Sequence, residues 1–138
     1  MKSKEYLSQA FRIDQRINSK LEQVLSLRKL ADKTATTVPK SDRTNARQIT
    51  NYVNKMSKLE SEINADIDRL VDLKSEIVTV IKCVESPELQ TLLELRYLSF
   101  KTWEQIAVEM NFDARWVRRL HDRALAVIDK IRCKNNKP

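Results

Sequence analysis

The chain has 138 residues, 41% hydrophobic and 33% charged, with 26 Lys and Arg against 19 Asp and Glu. That is enough apolar material for one ordinary domain or two small ones, and it excludes a disordered tail. Gly is absent and Pro occurs three times, which disfavours Gly-dependent β-hairpins, excludes Gly-rich phosphate loops and points to an all-α protein.

The first predicted helix runs from about Ser3 to Asp32. Tyr6, Ala10, Ile13, Ile17, Leu21 and Val24 recur at steps of three and four and share one face, widened by Leu25, Leu27 and Leu30. A stretch rich in β-branched residues and containing Pro39, Thr34 to Asp42, reads as a connecting loop. The second helix spans about Arg43 to Val84. Ile49, Met56, Ile63, Leu70, Ile77 and Val84 repeat every seven residues, and Tyr52, Leu59, Asp66, Leu73 and Val80 follow three later. This is an a/d seam with one polar intruder, Asp66, in the place of a register-setting residue. A short connector implies a long antiparallel, coiled-coil-like helical hairpin over residues 1–84. The seam (Ile49, Met56, Ile63, Asp66, Leu70, Ile77) serves either the hairpin itself or an interface between copies, with a homodimer expected. Val53, Ile67 and Ile81 add a second apolar strip beside it, more than one partner helix needs.

Ser86 suits an N-cap and Pro87 a first helical position, so a third helix is expected from there to about Leu98. It opens a C-terminal domain, residues 85–138, built around "WEQIAVEMNFDARWVRRL", Trp103 to Leu120. Thr102 and Gln105 have the spacing of a capping box. Ile106 and Met110 give an apolar face, and Ala107 is the small residue at a helix crossing. Asn111 takes the turn position that tolerates positive φ, Phe112 plugs the turn, and Asp113 caps the next helix. Val117 and Leu120 point inward. On the outer side stand Ala114, Arg115, Arg118, Arg119 and Asp122, with Arg123 beyond and Trp116 at the margin between core and sugar-phosphate backbone. This is the layout of a helix-turn-helix whose second helix enters a major groove, where Arg reads guanine or neutralises phosphate. His121 is expected on the helix face or at a phosphate.

Charge distribution agrees with that placement: residues from Asn111 onward carry eight basic and three acidic side chains. Cys83 and Cys133 lie far apart in sequence and His121 is the single His, so no zinc set can be assembled; both thiols are expected to be buried. No cofactor or metal is expected. The carboxylates of Asp66, Asp68, Asp72 and Glu76 read as a coiled-coil flank, and an enzyme is the weakest reading. No stretch approaches the roughly 20 apolar residues of a membrane span, so a cytoplasmic protein without membrane contact is expected.

The segment "LLELRYLSFKTWEQIAVEMNFDARWVRRLHDRALAVI" resembles region 4 of bacterial sigma factors, with a similar "VRR…RAL" ending. The whole layout, a long helical half, a "VPKSDRT" connector and this unit, is similar to small phage transcriptional activators of the RinA and ArpU type. The chain differs from such motifs in having Asn111 where Gly is commoner and Trp116 where Ser or Thr is usual. The resemblance implies a DNA-binding activator of late packaging and lysis genes in a phage or mobile element, acting in the host cytoplasm on double-stranded DNA and RNA polymerase. The chain is too short to carry the promoter-melting domain of a complete sigma factor. Two alternatives stand beside this reading: a DNA-packaging protein like a terminase small subunit, and a polymerase-binding adaptor that does not read DNA.

Overall fold

The computed structural model describes residues 2–36 and 42–135, and every regular element among them is an α-helix. The helices are α1 (Ser3–Thr36), α2 (Asp42–Lys82), α3 (Pro87–Tyr97), α4 (Trp103–Met110) and α5 (Ala114–Asn135). Among the described residues, no helix is long and apolar enough to cross a membrane.

Two helix ends depart from expectation. α1 continues past Asp32 because its threonines are satisfied within the helix. Thr34 Oγ1 donates to the Leu30 carbonyl at 2.8 Å, and Thr36 Oγ1 to that of Lys33 at 3.2 Å. The rest of the expected connector, Thr37 to Ser41, lies outside the described residues. α2 stops at Lys82, and the Cys83 and Val84 amides donate three residues back, to Val80 and Ile81 at 3.1 and 2.9 Å. This tightened turn ends the helix and leaves Val84 buried.

The chain divides into two compact units, Met1–Arg12 with Leu70–Pro138, and Ile13–Arg69. The division runs elsewhere than between residues 84 and 85, because the start of α1 and the last part of α2 belong with α3, α4 and α5.

In the Ile13–Arg69 unit, Ile17 and Val24 of α1 and Ile63 of α2 are buried, while Ile49, Tyr52, Met56 and Leu59 are half-buried. Asp66 is buried at its heptad position and accepts a hydrogen bond from Lys20 Nζ at 2.8 Å; Glu62 lies 3.7 Å from the same nitrogen. Lys20 falls between Ile17 and Val24 on the inward stripe, so the polar intruder in one helix meets its counterpart in the other. The Lys20 hydrogen bond, with further help from the charges of Lys20, Arg16 and Arg69, holds the Asp66 carboxyl below the usual carboxylate range, although burial pulls the other way. The α1 stripe therefore follows 17, 20, 24 and 27. Leu21, Leu25 and Leu30, expected on it, are exposed.

The second unit has two apolar clusters. One joins Leu7 and Ala10 of α1, Ile77 and Ile81 of α2, Val84, Leu93 and Tyr97 of α3, and Ala124 and Ile128 of α5. Leu7 is fully buried although the expected stripe omitted it, and Ile81 is buried where an outer strip was expected. The other cluster joins Leu92 of α3, Ile106 of α4, and Val117 and Leu120 of α5. The consecutive residues Leu92 and Leu93 serve different clusters, so α3 is apolar on two sides. Its start is fixed as expected: Ser86 Oγ accepts from the Leu89 amide at 3.4 Å, with Pro87 next.

Polar contacts fasten the start of α1 to the end of α5. Buried Ser3 donates to Asp129 and accepts from Arg132 Nη1 at 3.3 Å, and the Arg132 guanidinium lies 4.5 Å from the centre of the Tyr6 ring. Burial and the nearby Glu76 raise the Tyr6 hydroxyl above its ordinary pKa, with Arg132 opposing. Cys83 and Cys133 are exposed, contrary to the expectation of buried thiols. Both sit at helix ends, with Cys83 Sγ directed to the Thr79 carbonyl of its own helix at 3.4 Å.

Candidate nucleic-acid interface

The α4 start is closed by the capping box that its spacing predicts. The Gln105 amide donates to Thr102 Oγ1 at 3.2 Å, and the Thr102 amide donates to Gln105 Oε1 at 2.9 Å. One turn on, Ile106 is fully buried. At the other end Asn111 adopts φ 59°, ψ 43°, the left-handed conformation. Its amide donates to Val108 at 3.2 Å and that of Phe112 to Ala107 at 2.9 Å, a two-bond Schellman closure. Phe112, half-buried, packs against the Leu92–Ile106 cluster and completes the apolar contact that accompanies such caps. α5 then begins at Ala114, with the Asp113 carbonyl accepting from the Val117 amide at 3.0 Å.

Burial of Val117, Leu120, His121, Ala124 and Ile128 fixes the rotation of α5. Ala114, Arg115, Arg118, Arg119, Asp122 and Arg123 are all exposed. Arg115, Arg119 and Asp122, spaced four and three apart, form the line farthest from the core, with Arg118 on one flank and Arg123 on the other. Among the described residues no acidic side chain pairs with Arg115, Arg118 or Arg119. Arg123 is different: its guanidinium lies 5.2 Å from the centre of the Trp116 ring, and Trp116 is half-buried against the Leu92–Ile106 cluster. Of the seam positions named from sequence, Ile63, Asp66 and Ile77 are buried within the single chain, while Ile49, Met56 and Leu70 are half-buried.

His121 is not a surface residue. It is 5% exposed, its Nε2 lies 2.5 Å from Tyr97 Oη, and the Trp103 ring meets it edge-on at 4.6 Å. Burial drives its pKa down to about 4, with Asp122 opposing and Lys4 and Arg96 adding to the shift, so the ring is neutral at pH 7. Burial pushes the Tyr97 hydroxyl up to about 12, against Arg96. The signal was present in the spacing: 117, 120, 121, 124 and 128 make one inward stripe, and His121 lies on it.

Two further residues brace this unit. Arg96 lies 4.3 Å over the Trp103 ring and donates from Nη1 to the Lys101 carbonyl at 2.9 Å. Phe100 has φ 57°, a left-handed conformation that Gly or Asn more commonly takes. For a residue with a Cβ this costs about 1–2 kcal/mol. Phe11, edge-on at 5.5 Å, and Lys74 Nζ, 4.7 Å over the ring, hold it there. No family model, curated protein or solved structure matches the chain.

Proposed function

We propose that the chain is a sequence-specific DNA-binding transcription regulator. In this reading α4, the Asn111 turn and α5 act as a helix-turn-helix, and α1 with α2 forms an antiparallel helical hairpin. The observation that carries it is the arginine line on the first turns of α5, exposed and, among the described residues, without an acidic partner, on a helix whose other side is locked into a core. The capping box and the left-handed Asn111 support it, because they fix the angle at which α5 is presented. Arg115 and Arg119, farthest from the core, are the base-reading candidates. Arg118 and Arg123 flank them as phosphate contacts, with Ala114, Trp116 and Asp122 at the margin. The resemblance to activators of the RinA and ArpU type extends the reading to late packaging and lysis genes, with the hairpin left for RNA polymerase or another subunit. No catalytic residue, cofactor or metal enters it.

The test is binding of arginine variants to a site found by immunoprecipitation and footprinting, and to a scrambled duplex, across a salt series. Arg115→Ala and Arg119→Ala are expected to lose about 1–3 kcal/mol on the specific site alone. Arg118→Ala and Arg123→Ala are expected to weaken both duplexes and lower the salt slope by about one. Wild-type binding by all four variants on both duplexes refutes DNA reading and favours the polymerase adaptor.

A further inference from the structure

The start of α1 lies along the arginine-bearing helix. Steps of seven, four and three put Arg118, Leu125, Asp129 and Arg132 on one flank of α5. Buried Ser3 bonds to both Asp129 and Arg132, and the Tyr6 ring lies against the Arg132 guanidinium. The first turn of α1 is therefore fixed on the Arg118 flank and not on the Arg123 flank, and all these residues belong to one compact unit. Lys4 follows Ser3, is exposed, and stands on the side of α1 that carries Ser8 and Phe11. Those two line a cavity with Arg96, Tyr97, Phe100 and Thr102, so this side of α1 looks toward the end of α3 and the start of α4. His121, one turn beyond Arg118, feels Lys4 from there. Burial is the main cause of its low pKa, Asp122 opposes, and the charges of Lys4 and Arg96 lower it further.

We propose that Lys4 contacts a DNA phosphate on the same strand as Arg118, so that the binding surface is assembled from α1 as well as α5. This rests on the reading of α5 as a recognition helix. A major groove is about 12 Å wide, so a helix seated in it has one sugar-phosphate backbone on each side. Arg118 and Arg123, on opposite flanks, face opposite strands, and α1 lies outside the Arg118 flank. Among the described residues, no hydrogen bond or acidic partner engages Lys4, and the fold does not need its charge: Ser3, Tyr6 and Leu7 fasten this end of α1. Lys4 and Arg96 bring like charges to bear on one neutral ring, a gathering that a phosphate relieves. A lysine is a point charge on a flexible stem, suited to holding a backbone and not to reading a base.

The experiment is binding of the full chain and its Lys4→Gln and Lys4→Arg variants to the footprinted site and to the scrambled duplex across a salt series, with circular dichroism as a check on folding. Lys4→Gln is expected to weaken both duplexes alike and to lower the salt slope by about one, and Lys4→Arg to keep the wild-type slope. Lys58→Gln, exposed in the Ile13–Arg69 unit, is expected to change neither. A scan of single neutral methylphosphonate linkages then locates the contact. One linkage should weaken the wild type and not Lys4→Gln, and it should lie on the strand whose linkages lose their effect in Arg118→Ala. A wild-type slope for Lys4→Gln, an equal drop for Lys58→Gln, or a coupled linkage on the opposite strand overturns the proposal. If the arginine variants weaken binding and Lys4→Gln does not, this inference alone fails; if the arginine variants also bind like the wild type, the reading of α5 fails with it.

Discussion

The buried imidazole gives the stability of the protein a specific pH dependence. In the unfolded chain His121 titrates near the ordinary value of about 6.5, and in the folded chain its pKa is about 4. As pH falls below 6.5 the unfolded state takes up a proton that the native state refuses, so stability drops until native His121 protonates too. Integrated over these two values, the loss is about 2 kcal/mol at pH 5 and about 3 kcal/mol at pH 4, and nothing above pH 7. The control is Tyr97→Phe with His121→Phe, which removes the titrating ring and its hydroxyl partner together and leaves no buried polar group stranded. Urea unfolding of both proteins at pH 7.5, 6 and 5 isolates the effect, because acid-sensitive carboxylates such as Asp66 are common to both. The wild type should lose about 2 kcal/mol more than the double variant over that range. Parallel pH profiles refute the buried, neutral histidine.

Asn111→Gly should be neutral or mildly stabilising, whereas Asn111→Val should cost about 1–2 kcal/mol in a thermal melt, because only the latter penalises the left-handed turn. Phe100→Ala should be less stable than Phe100→Gly by about 1 kcal/mol, since both lose the ring contacts but only alanine keeps the left-handed penalty; equal melting points count against the strained φ. Asp66→Leu alone should destabilise by about 1–3 kcal/mol, because it leaves the Lys20 ammonium on an inward stripe with only the longer Glu62 contact, and adding Lys20→Met should recover that loss or exceed it. Additive effects in urea unfolding of the two single variants and the double variant would show that the ion pair has no coupling.

The α4–α5 segment was legible because each of its positions is set by local rules. A capping box, a left-handed turn and a 3.6-residue stripe are short-range requirements, and Thr102, Asn111, Val117 and Leu120 meet them without reference to the rest of the chain. What could not be read depends on partners distant in sequence. Leu7 and Leu21 have equal claims to the α1 stripe until Lys20 is known to face Asp66, which shifts the inward line by one residue. His121 was misread because a polar residue on an apolar stripe becomes acceptable only when a hydroxyl such as that of Tyr97 is there to pair with it. Phe100 carries no sequence signal at all. Its left-handed backbone closes α3, where the Lys101 amide donates to the Leu95 carbonyl at 3.0 Å, and its ring rests against Phe11 and Lys74, which no local pattern connects to it.

The two-sided character of α3 bears on how the protein can be cut. A fragment beginning at residue 85 keeps the capping box, the Asn111 turn and the whole arginine line, and so looks self-sufficient. It also discards Leu7, Ala10, Ile77, Ile81 and Val84, and leaves Leu93, Tyr97, Ala124 and Ile128 facing water along a continuous apolar strip. Such a strip will seek its own kind, so the isolated fragment should aggregate or recruit detergents and chaperones, and any binding measured on it will reflect that behaviour. The arginine-bearing end of this molecule is a compact unit only while the start of α1 and the last part of α2 are attached to it.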